Sequence, residues 1–258
     1  MKKTALITGT TSGIGKSFAN KLACEGYDLV LVSRDEQKLT AQANNLSNEY
    51  GIKVYTIPID LLENRAAQKI FDLAQKMKLN IQILINNAGF NECGDFLKTD
   101  LQNEISMIQL HAVFTTEMMK LFLPGMIENK YGRILNLGST GSFMPCPYNA
   151  VYAATKAYIL FVSKGINAEL KGTGVKITTL CPGATKTEFA QKAGINNTLL
   201  FNIFVMLPDR VAKVGYKALM KGKASVIVGL YNKLLVFSSK IMPSFILDAC
   251  VKIMFMKR

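Results

Sequence analysis

The sequence predicts an α/β fold, a single doubly wound parallel sheet of about seven strands. Three observations carry that expectation. Short, β-branched apolar runs alternate with longer amphipathic stretches, the pattern of βαβ units. The runs are nearly continuous in hydrophobicity, as strands covered on both faces must be. The first of them ends in a glycine cluster that opens a helical stretch.

In chain order, strands are expected at 4–7, 28–32, 53–58, 81–85, 132–137, 176–181 and 225–228. Helices are expected at 14–26, 35–50, 63–78, 100–129, 149–171 and 208–221. No repeat, low-complexity linker or composition break divides the chain, so residues 1–258 read as one domain. Residues 184–207 interrupt the alternation near the carboxyl ends of the strands, where ligands of such sheets bind. Their apolar run, Leu199, Leu200, Phe201, Asn202, Ile203, Phe204, Val205, Met206 and Leu207, suits a substrate lid or plain core. The tail 230–258 predicts two apolar helices separated by Pro243, the first carrying a stripe of Leu230, Leu234, Phe237 and Ile241 opposite Lys233 and Lys240. Docking on the sheet, a dimer interface or peripheral contact with a membrane all fit this tail.

Composition narrows the function. Hydrophobic residues make up 49% and charged ones 19%, so the chain folds rather than remaining disordered. Cys24, Cys93, Cys146, Cys181 and Cys250 are scattered, odd in number and never spaced as CxxC. That argues against a zinc site or a disulfide framework and favours a reducing compartment. The start, Met1-Lys2-Lys3, resembles a signal n-region, but the apolar stretch behind it ends almost at once in glycines. No apolar run reaches bilayer-spanning length, and the expectation is a cytoplasmic protein. The net charge of +13 rests on lysines spread along the chain, without a nucleic-acid motif. It reads as a solvated surface, or as attraction to an anionic substrate, an acidic carrier or an anionic membrane.

The first strand runs into Gly9, Thr11, Ser12, Gly13, Ile14 and Gly15. Glycines allow a sharp turn and close approach to a pyrophosphate, and the helix N-terminus behind them offers free N–H groups. The GxxxGxG spacing after a first strand points to a dinucleotide. The second strand ends in Ser33-Arg34, where an acidic residue would bind the ribose hydroxyls of NAD. A small Ser33 and a cationic Arg34 instead suit a 2′-phosphate, so NADP(H) is the expected cofactor. Asp60-Leu61 is placed for an adenine contact, or Asp60 caps the next helix. Asn86-Asn87-Ala88-Gly89 suits a loop packed under the cofactor.

Ser139 follows the fifth strand, and Tyr152 lies 13 residues further on with Lys156 at i+4. That spacing lets the phenol and the ammonium converge on one helix face. A neighbouring ammonium lowers the pKa of a phenol, so the pair is expected to exchange protons near neutrality. With the glycine loop, Asp60, the Asn-Asn-Ala-Gly loop and Pro182-Gly183-Ala184-Thr185-Lys186-Thr187, the sequence resembles the short-chain dehydrogenase/reductase family over nearly its whole length. Within it, the chain looks like bacterial oxidoreductases and, more distantly, 17β-hydroxysteroid dehydrogenases and 3-ketoacyl-CoA reductases.

The resemblance implies a Rossmann-type fold and a homodimer or homotetramer. It implies that Tyr152 is the general acid/base, that Ser139 polarises the substrate carbonyl and that Lys156 binds the nicotinamide ribose. Pro182, Gly183, Thr185 and Thr187 would hold the nicotinamide carboxamide, and Asn87, Ala88 and Gly89 would line the cofactor site. The family's relay Asn is replaced: His111, the single histidine, falls at its position, or Gln109 if the helix register differs by two, and His111 is expected to join the proton relay or to fill space. Phe143, Met144, Pro145 and Tyr148 are expected to line the substrate pocket opposite the 184–207 segment. The expected activity is NADPH-dependent reduction of a ketone or aldehyde on a hydrophobic substrate such as a steroid. Reduction of a 3-oxoacyl thioester and a non-catalytic NADP(H)-binding role are the alternatives.

Overall fold

The structure, a computed structural model, describes residues 3–195, 197–202 and 205–255. Met1, Lys2, Asn196, Ile203, Phe204, Met256, Lys257 and Arg258 lie outside the described residues. Seven strands form one sheet among the described residues: β1 (Thr4–Thr8), β2 (Asp28–Ser33), β3 (Val54–Pro58), β4 (Ile81–Asn86), β5 (Gly132–Leu137), β6 (Val175–Cys181) and β7 (Ser225–Ile227). Their order is β3-β2-β1-β4-β5-β6-β7 and every neighbouring pair is parallel. The chain winds outward from β1 in one direction and from β4 in the other. That reversal leaves a crevice at the carboxyl ends of β1 and β4.

Period-two alternation sorts the strand side chains into two cores. Leu6, Val30, Leu84, Ile134 and Ile177 face α3 (Ala66–Lys76) and α5 (Thr115–Glu128). Ala5, Ile7, Leu29, Ile83, Leu135 and Leu180 face α1 (Gly13–Cys24), α2 (Glu36–Tyr50) and α9 (Pro208–Met220). Both faces of the sheet are thereby dry, which explains why the strands read as continuous apolar runs.

The helices differ from expectation where local chemistry intervenes. α3 starts at Ala66 instead of 63, because Glu63 N–H closes a turn on Asp60 O at 3.1 Å and Arg65 adopts a left-handed conformation (φ 59°). The span 100–129 is a continuous rod, capped by the Asp100 carboxylate on Asn103 N–H at 2.8 Å. Inside it, however, a π-helical segment, Gln109–Phe114, separates α4 (Leu101–Ile108) from α5. A short 3₁₀ turn, Thr140–Phe143, precedes α6 (Ala150–Glu169), and α7 (Glu188–Lys192) and α8 (Leu199–Asn202) occupy the 184–207 segment.

That segment is part lid and part core. Phe201 faces the crevice, whereas Met206 is buried in the α9 layer and its N–H and C=O bond Ala184 and Lys186. The tail forms α10 (Leu230–Ile241) and α11 (Ser244–Phe255). The stripe Leu230, Leu234, Phe237 and Ile241 faces outward and is exposed, while Asn232 and Val236 face in. Docking of that stripe on the sheet is thus excluded. No helix of the described residues is long and apolar enough to cross a membrane.

Candidate active site

The floor of the crevice is a knot between β1 and β4. Thr8 Oγ accepts from Asn87 N–H and Ala88 N–H, both at 3.1 Å, and donates to Ile85 O at 3.4 Å. Asn87 Nδ2 donates to Thr8 O at 2.9 Å and Gly9 O at 3.0 Å. The Asn87 amide therefore shapes the glycine loop from below. Gly9 has φ +69°, and a Cβ there would lie 2.9 Å from Ala88 Cα. Gly15 does not line the crevice; a Cβ there would fall 2.0 Å from Gly9 O, so this glycine lets α1 pack against the loop. Ser12 caps α1 without a side-chain bond, which leaves the first N–H groups of α1 facing the crevice.

Thr11, Ser12, Gly13, Ile14, Ser33, Arg34, Asp60, Leu61, Ala88 and Gly89 line that cavity, with Pro182, Gly183, Thr185 and Thr187 on its opposite wall. Thr11 Oγ and Ser33 Oγ are 3.2 Å apart. The Arg34 side chain is 74% exposed and its guanidinium lies 3.8 Å from the Asp60 carboxylate. Asp60 also accepts from Leu62 N–H at 3.0 Å, so it stabilises its own turn. An exposed ion pair of this length is worth little, and Arg34 keeps its donors for another anion. A helix N-terminus with free amides, a cradle that a Cβ would fill and an exposed guanidinium held only by a long ion pair together fit a nicotinamide dinucleotide.

Ser139, Tyr152 and Lys156 converge on the same cavity from the 3₁₀ turn and α6. Ser139 Oγ accepts from Gly141 N–H at 3.1 Å, which leaves its own proton free to donate. Lys156 Nζ donates to Leu137 O at 2.9 Å and sits 5.5 Å from the Tyr152 ring centroid. Burial raises the Tyr152 pKa above that of a free phenol, and the Ser139 hydroxyl only partly counters it. Burial also pulls Lys156 down to about 7. The expected lowering of the Tyr152 pKa by Lys156 is thus not what these residues alone produce: desolvation wins and the phenol is held protonated.

Beyond Tyr152 the cavity, about 580 Å³ in all, becomes apolar. Met144, Cys146, Phe189, Phe201, Val251 and Phe255 wall it, with Phe189 5.9 Å from the Tyr152 ring. α11 reaches this wall because Val251, Leu247 and Phe255 pack on Met144, Cys146 and Ala153.

The short chain dehydrogenase family profile matches residues 3–197. The chain belongs to that family. Among its relatives, the very-long-chain 3-oxoacyl-CoA reductase of Bos taurus is 36% identical over 191 residues, covering 72% of this chain and 61% of the relative. The chain therefore spans about three fifths of the length of that relative. A ketoacyl reductase of Nostoc is 33% identical over 227 residues, 88% of this chain and 78% of the relative. A short-chain dehydrogenase from Sphingobium yanoikuyae, solved in complex with NADPH, superposes with a TM-score of 0.82 at 31% identity, covering 93% and 95% of the two chains.

Against the short-chain dehydrogenase pattern, four residues depart from expectation. Phe143, Pro145 and Tyr148 do not line the cavity. The 3₁₀ turn carries Phe143 off the wall, and Tyr148, in a left-handed conformation (φ 64°), is exposed beneath Lys252. His111 is buried on the π segment and does not line the cavity either. Its Nδ1 meets Thr155 Oγ at 2.9 Å, and that hydroxyl donates to Tyr152 O at 2.7 Å. Nδ1 must therefore donate, so Nε2 is the lone-pair nitrogen, buried without a partner and facing Gly89. Burial, with the Lys156 charge adding, drives the imidazole pKa well below its usual value. His111 is therefore neutral near pH 7, where an imidazole in water would titrate.

The sequence reading also missed Cys146, Asn91, Asn149 and all of α11 as lining residues. Asn91 stands two residues beyond Gly89 and Asn149 three before Tyr152, and proximity to those motifs was the available signal. Nothing in the tail pointed to the cavity.

Proposed function

We propose that this chain is an NADPH-dependent carbonyl reductase, transferring hydride to a ketone or aldehyde on a hydrophobic substrate. One observation carries the reading: a buried, protonated Tyr152 stands between a cradle suited to a dinucleotide and an apolar cavity wall. Reduction needs a proton donor, and a phenol whose pKa is raised starts the reaction in the required form.

The bound dinucleotide supplies a hydride at its nicotinamide ring. Gly9, Gly13 and the α1 N-terminus would hold its pyrophosphate, Arg34 and Ser33 a 2′-phosphate, and residues 182–187 its carboxamide end. Ser139 donates its free hydroxyl proton as a hydrogen bond to the substrate carbonyl oxygen and fixes its direction. Tyr152 gives that oxygen its phenolic proton as negative charge develops there. Lys156, titrating near neutrality, is suited to return a proton to the phenolate. The His111–Thr155–Tyr152 chain holds α6 against the π segment.

Preference for NADPH is supported by the exposed Arg34, whose one ion pair is long, and by the NADPH bound in the 31%-identical Sphingobium structure. A steroid is one ketone of the proposed class; a 3-oxoacyl thioester is another, supported by the names of the bovine and Nostoc relatives. The retained Ser139, Tyr152 and Lys156 weigh against a non-catalytic binding role. We also read the chain as a cytoplasmic homo-oligomer; its exposed Leu97, Leu101 and Phe161 would be covered by a second copy. The deciding experiment is NADPH oxidation with steroids, 3-oxoacyl thioesters and simple ketones, in wild type and Tyr152→Phe. The phenol's loss should lower kcat by roughly 10²–10⁴-fold with NADPH affinity retained. A Phe variant that keeps most of its kcat would refute the assignment of the proton donor.

A further inference from the structure

The two C-terminal helices carry more apolar surface than the fold covers. On α10, Leu230, Leu234, Phe237 and Ile241 recur at three- and four-residue intervals and form one outward stripe, in which Phe237 is 63% exposed. On α11, Leu247, Val251 and Phe255 pack toward the cavity wall. Phe245, Ala249 and Ile253 recur at the same four-residue interval on the other side of that helix, and all three are exposed, Phe245 at 73%. α11 is therefore apolar on two faces, and the domain accounts for one of them. A helix apolar on both sides is ordinarily buried on both. Ile241 and Phe245 stand four residues apart across the Met242-Pro243 corner, so the second stripe begins close to where the first ends.

The charges beside these stripes are almost all of one sign. Lys233 and Lys240 are exposed about a quarter turn around α10 from its apolar stripe. Lys252 is exposed on α11, and Asp248 is the only acidic residue from position 230 onward. The whole chain carries +13. Lysines so placed can lay their stems along an apolar surface and set their ammonium groups at the level of lipid headgroups. A second copy is a poor occupant of this face. A twofold interface sets one patch against itself, so the lysines would meet their own kind with only Asp248 to offset them. The exposed Leu97, Leu101 and Phe161, elsewhere on the fold, are the surface already offered to a second copy. Each helix has 12 residues, about 18 Å of rise, short of the ~30 Å hydrocarbon core of a bilayer. Lying along a bilayer surface suits that length.

We propose that α10 and α11 form an interfacial docking surface for an anionic phospholipid bilayer. The two exposed stripes enter the boundary between headgroups and acyl chains, and the lysines pair with lipid phosphates above it. The cavity lies directly behind, lined by Leu235 of α10 and by Val251 and Phe255 of α11. The helices that meet the membrane are thus also the cavity's wall, which places an apolar substrate dissolved in the lipid beside that wall. Only this last consequence rests on the carbonyl-reductase reading; the docking surface does not.

The test is co-sedimentation of the full chain with vesicles of phosphatidylcholine and phosphatidylglycerol in a two-to-one ratio, and with vesicles of phosphatidylcholine alone. Wild type should pellet with the anionic vesicles in preference to the neutral ones, and less so as salt is raised. Phe237→Gln combined with Phe245→Gln should weaken that binding by roughly a hundredfold, about tenfold for each apolar side chain withdrawn from the lipid. Lys233→Gln combined with Lys240→Gln should weaken it by about fivefold for each lysine, on the anionic vesicles only. All four side chains are exposed, so Tm should be unchanged in both variants; if the phenylalanine pair fails to fold, the lysine pair decides. Wild type that stays in the supernatant overturns the proposal. So does binding that survives both pairs of substitutions, because it then resides elsewhere on the basic surface. Equal binding to the two kinds of vesicle overturns the choice of an anionic surface. Sedimentation velocity without lipid tests the other occupant: an assembly that the phenylalanine pair dissociates assigns the face to a second copy and overturns membrane docking.

Discussion

Lys156→Met should remove a rise in stability of about 2 kcal/mol between pH 7 and pH 9. Lys156 is 3% exposed, and burial lowers its pKa from 10.5 to about 7. Below pH 7 both folded and unfolded states hold the proton, and the folded state bears the full cost of a buried ammonium. Between about 7 and 10.5 the unfolded chain keeps its proton while the folded one has released it, so stability rises with pH. With 1.36 kcal/mol for each unit of separation, the gain from pH 7 to pH 9 is about 2 kcal/mol. Burial raises the pKa of Tyr152 and raises Cys146 and Cys181 to about 12. Unfolded thiols begin to ionise above about pH 8, so the two cysteines oppose the gain by on the order of 1 kcal/mol at pH 9. They do so equally in wild type and variant, and the difference between the two proteins isolates Lys156. His111, held neutral, matters only below that range.

Methionine matches the length of lysine and carries no charge, so the variant should be more stable than wild type at pH 7 and should lack that rise. Urea denaturation at several pH values, read by circular dichroism without NADPH, measures both. Parallel pH dependence in wild type and Lys156→Met would refute the claim that Lys156 is deprotonated by burial. A loss of turnover in the same variant is expected but does not bear on that claim.

Arg34→Ala should weaken NADPH binding by about 1.5–3 kcal/mol, the range for a hydrogen bond to a charged group, and leave NADH affinity nearly unchanged; adding Ser33→Asp should reverse the preference. Equal wild-type affinities for the two cofactors by titration would remove the basis for that assignment. For His111, Leu and Asn substitutions separate a relay from packing. His111→Leu removes an unpartnered buried nitrogen together with the Thr155 bond, so its Tm should shift little, while a relay role predicts a large fall in kcat that His111→Asn rescues. Because the imidazole does not titrate near neutrality, neither variant should move the neutral limb of the pH–rate profile; a displaced limb would show that His111 ionises after all.

The sheet was legible because its strands are buried on both faces, so Leu29, Val30, Leu31 and Val32 announce themselves without any pairing information. Gly9, Gly13 and Gly15 were legible because each answers a steric demand that no other residue meets. What the sequence did not convey depends on the balance between solvation and charge. The Tyr152/Lys156 spacing is visible in the chain, but the direction of their pKa shifts is set by burial, which is a property of the packed fold. Phe143 and Tyr148 misled for a related reason: an aromatic near a motif is placed by the turn that carries it, and the Thr140–Phe143 turn is invisible to periodicity. The role of α11 was beyond reach because Cys146 and Val251, which join it to the cavity, are 105 residues apart and neither is unusual where it stands.

α11 gives the cavity a wall of a different mechanical kind from the others. Met144 and Phe189 lie on segments tied to neighbouring loops by main-chain bonds, Thr140 N–H on Pro182 O and Lys186 N–H on Met206 O. α11 contributes Val251 as its single buried side chain among the described residues. An element secured so lightly detaches at a free energy far below that of global unfolding, and its amides exchange with solvent through that local opening. Admission of a substrate through that opening would require no hinge in the sheet. Occupancy of the cavity and order of the tail become two expressions of one equilibrium, so a longer acyl chain, by covering more of Val251, Met254 and Phe255, would also be the slower to leave.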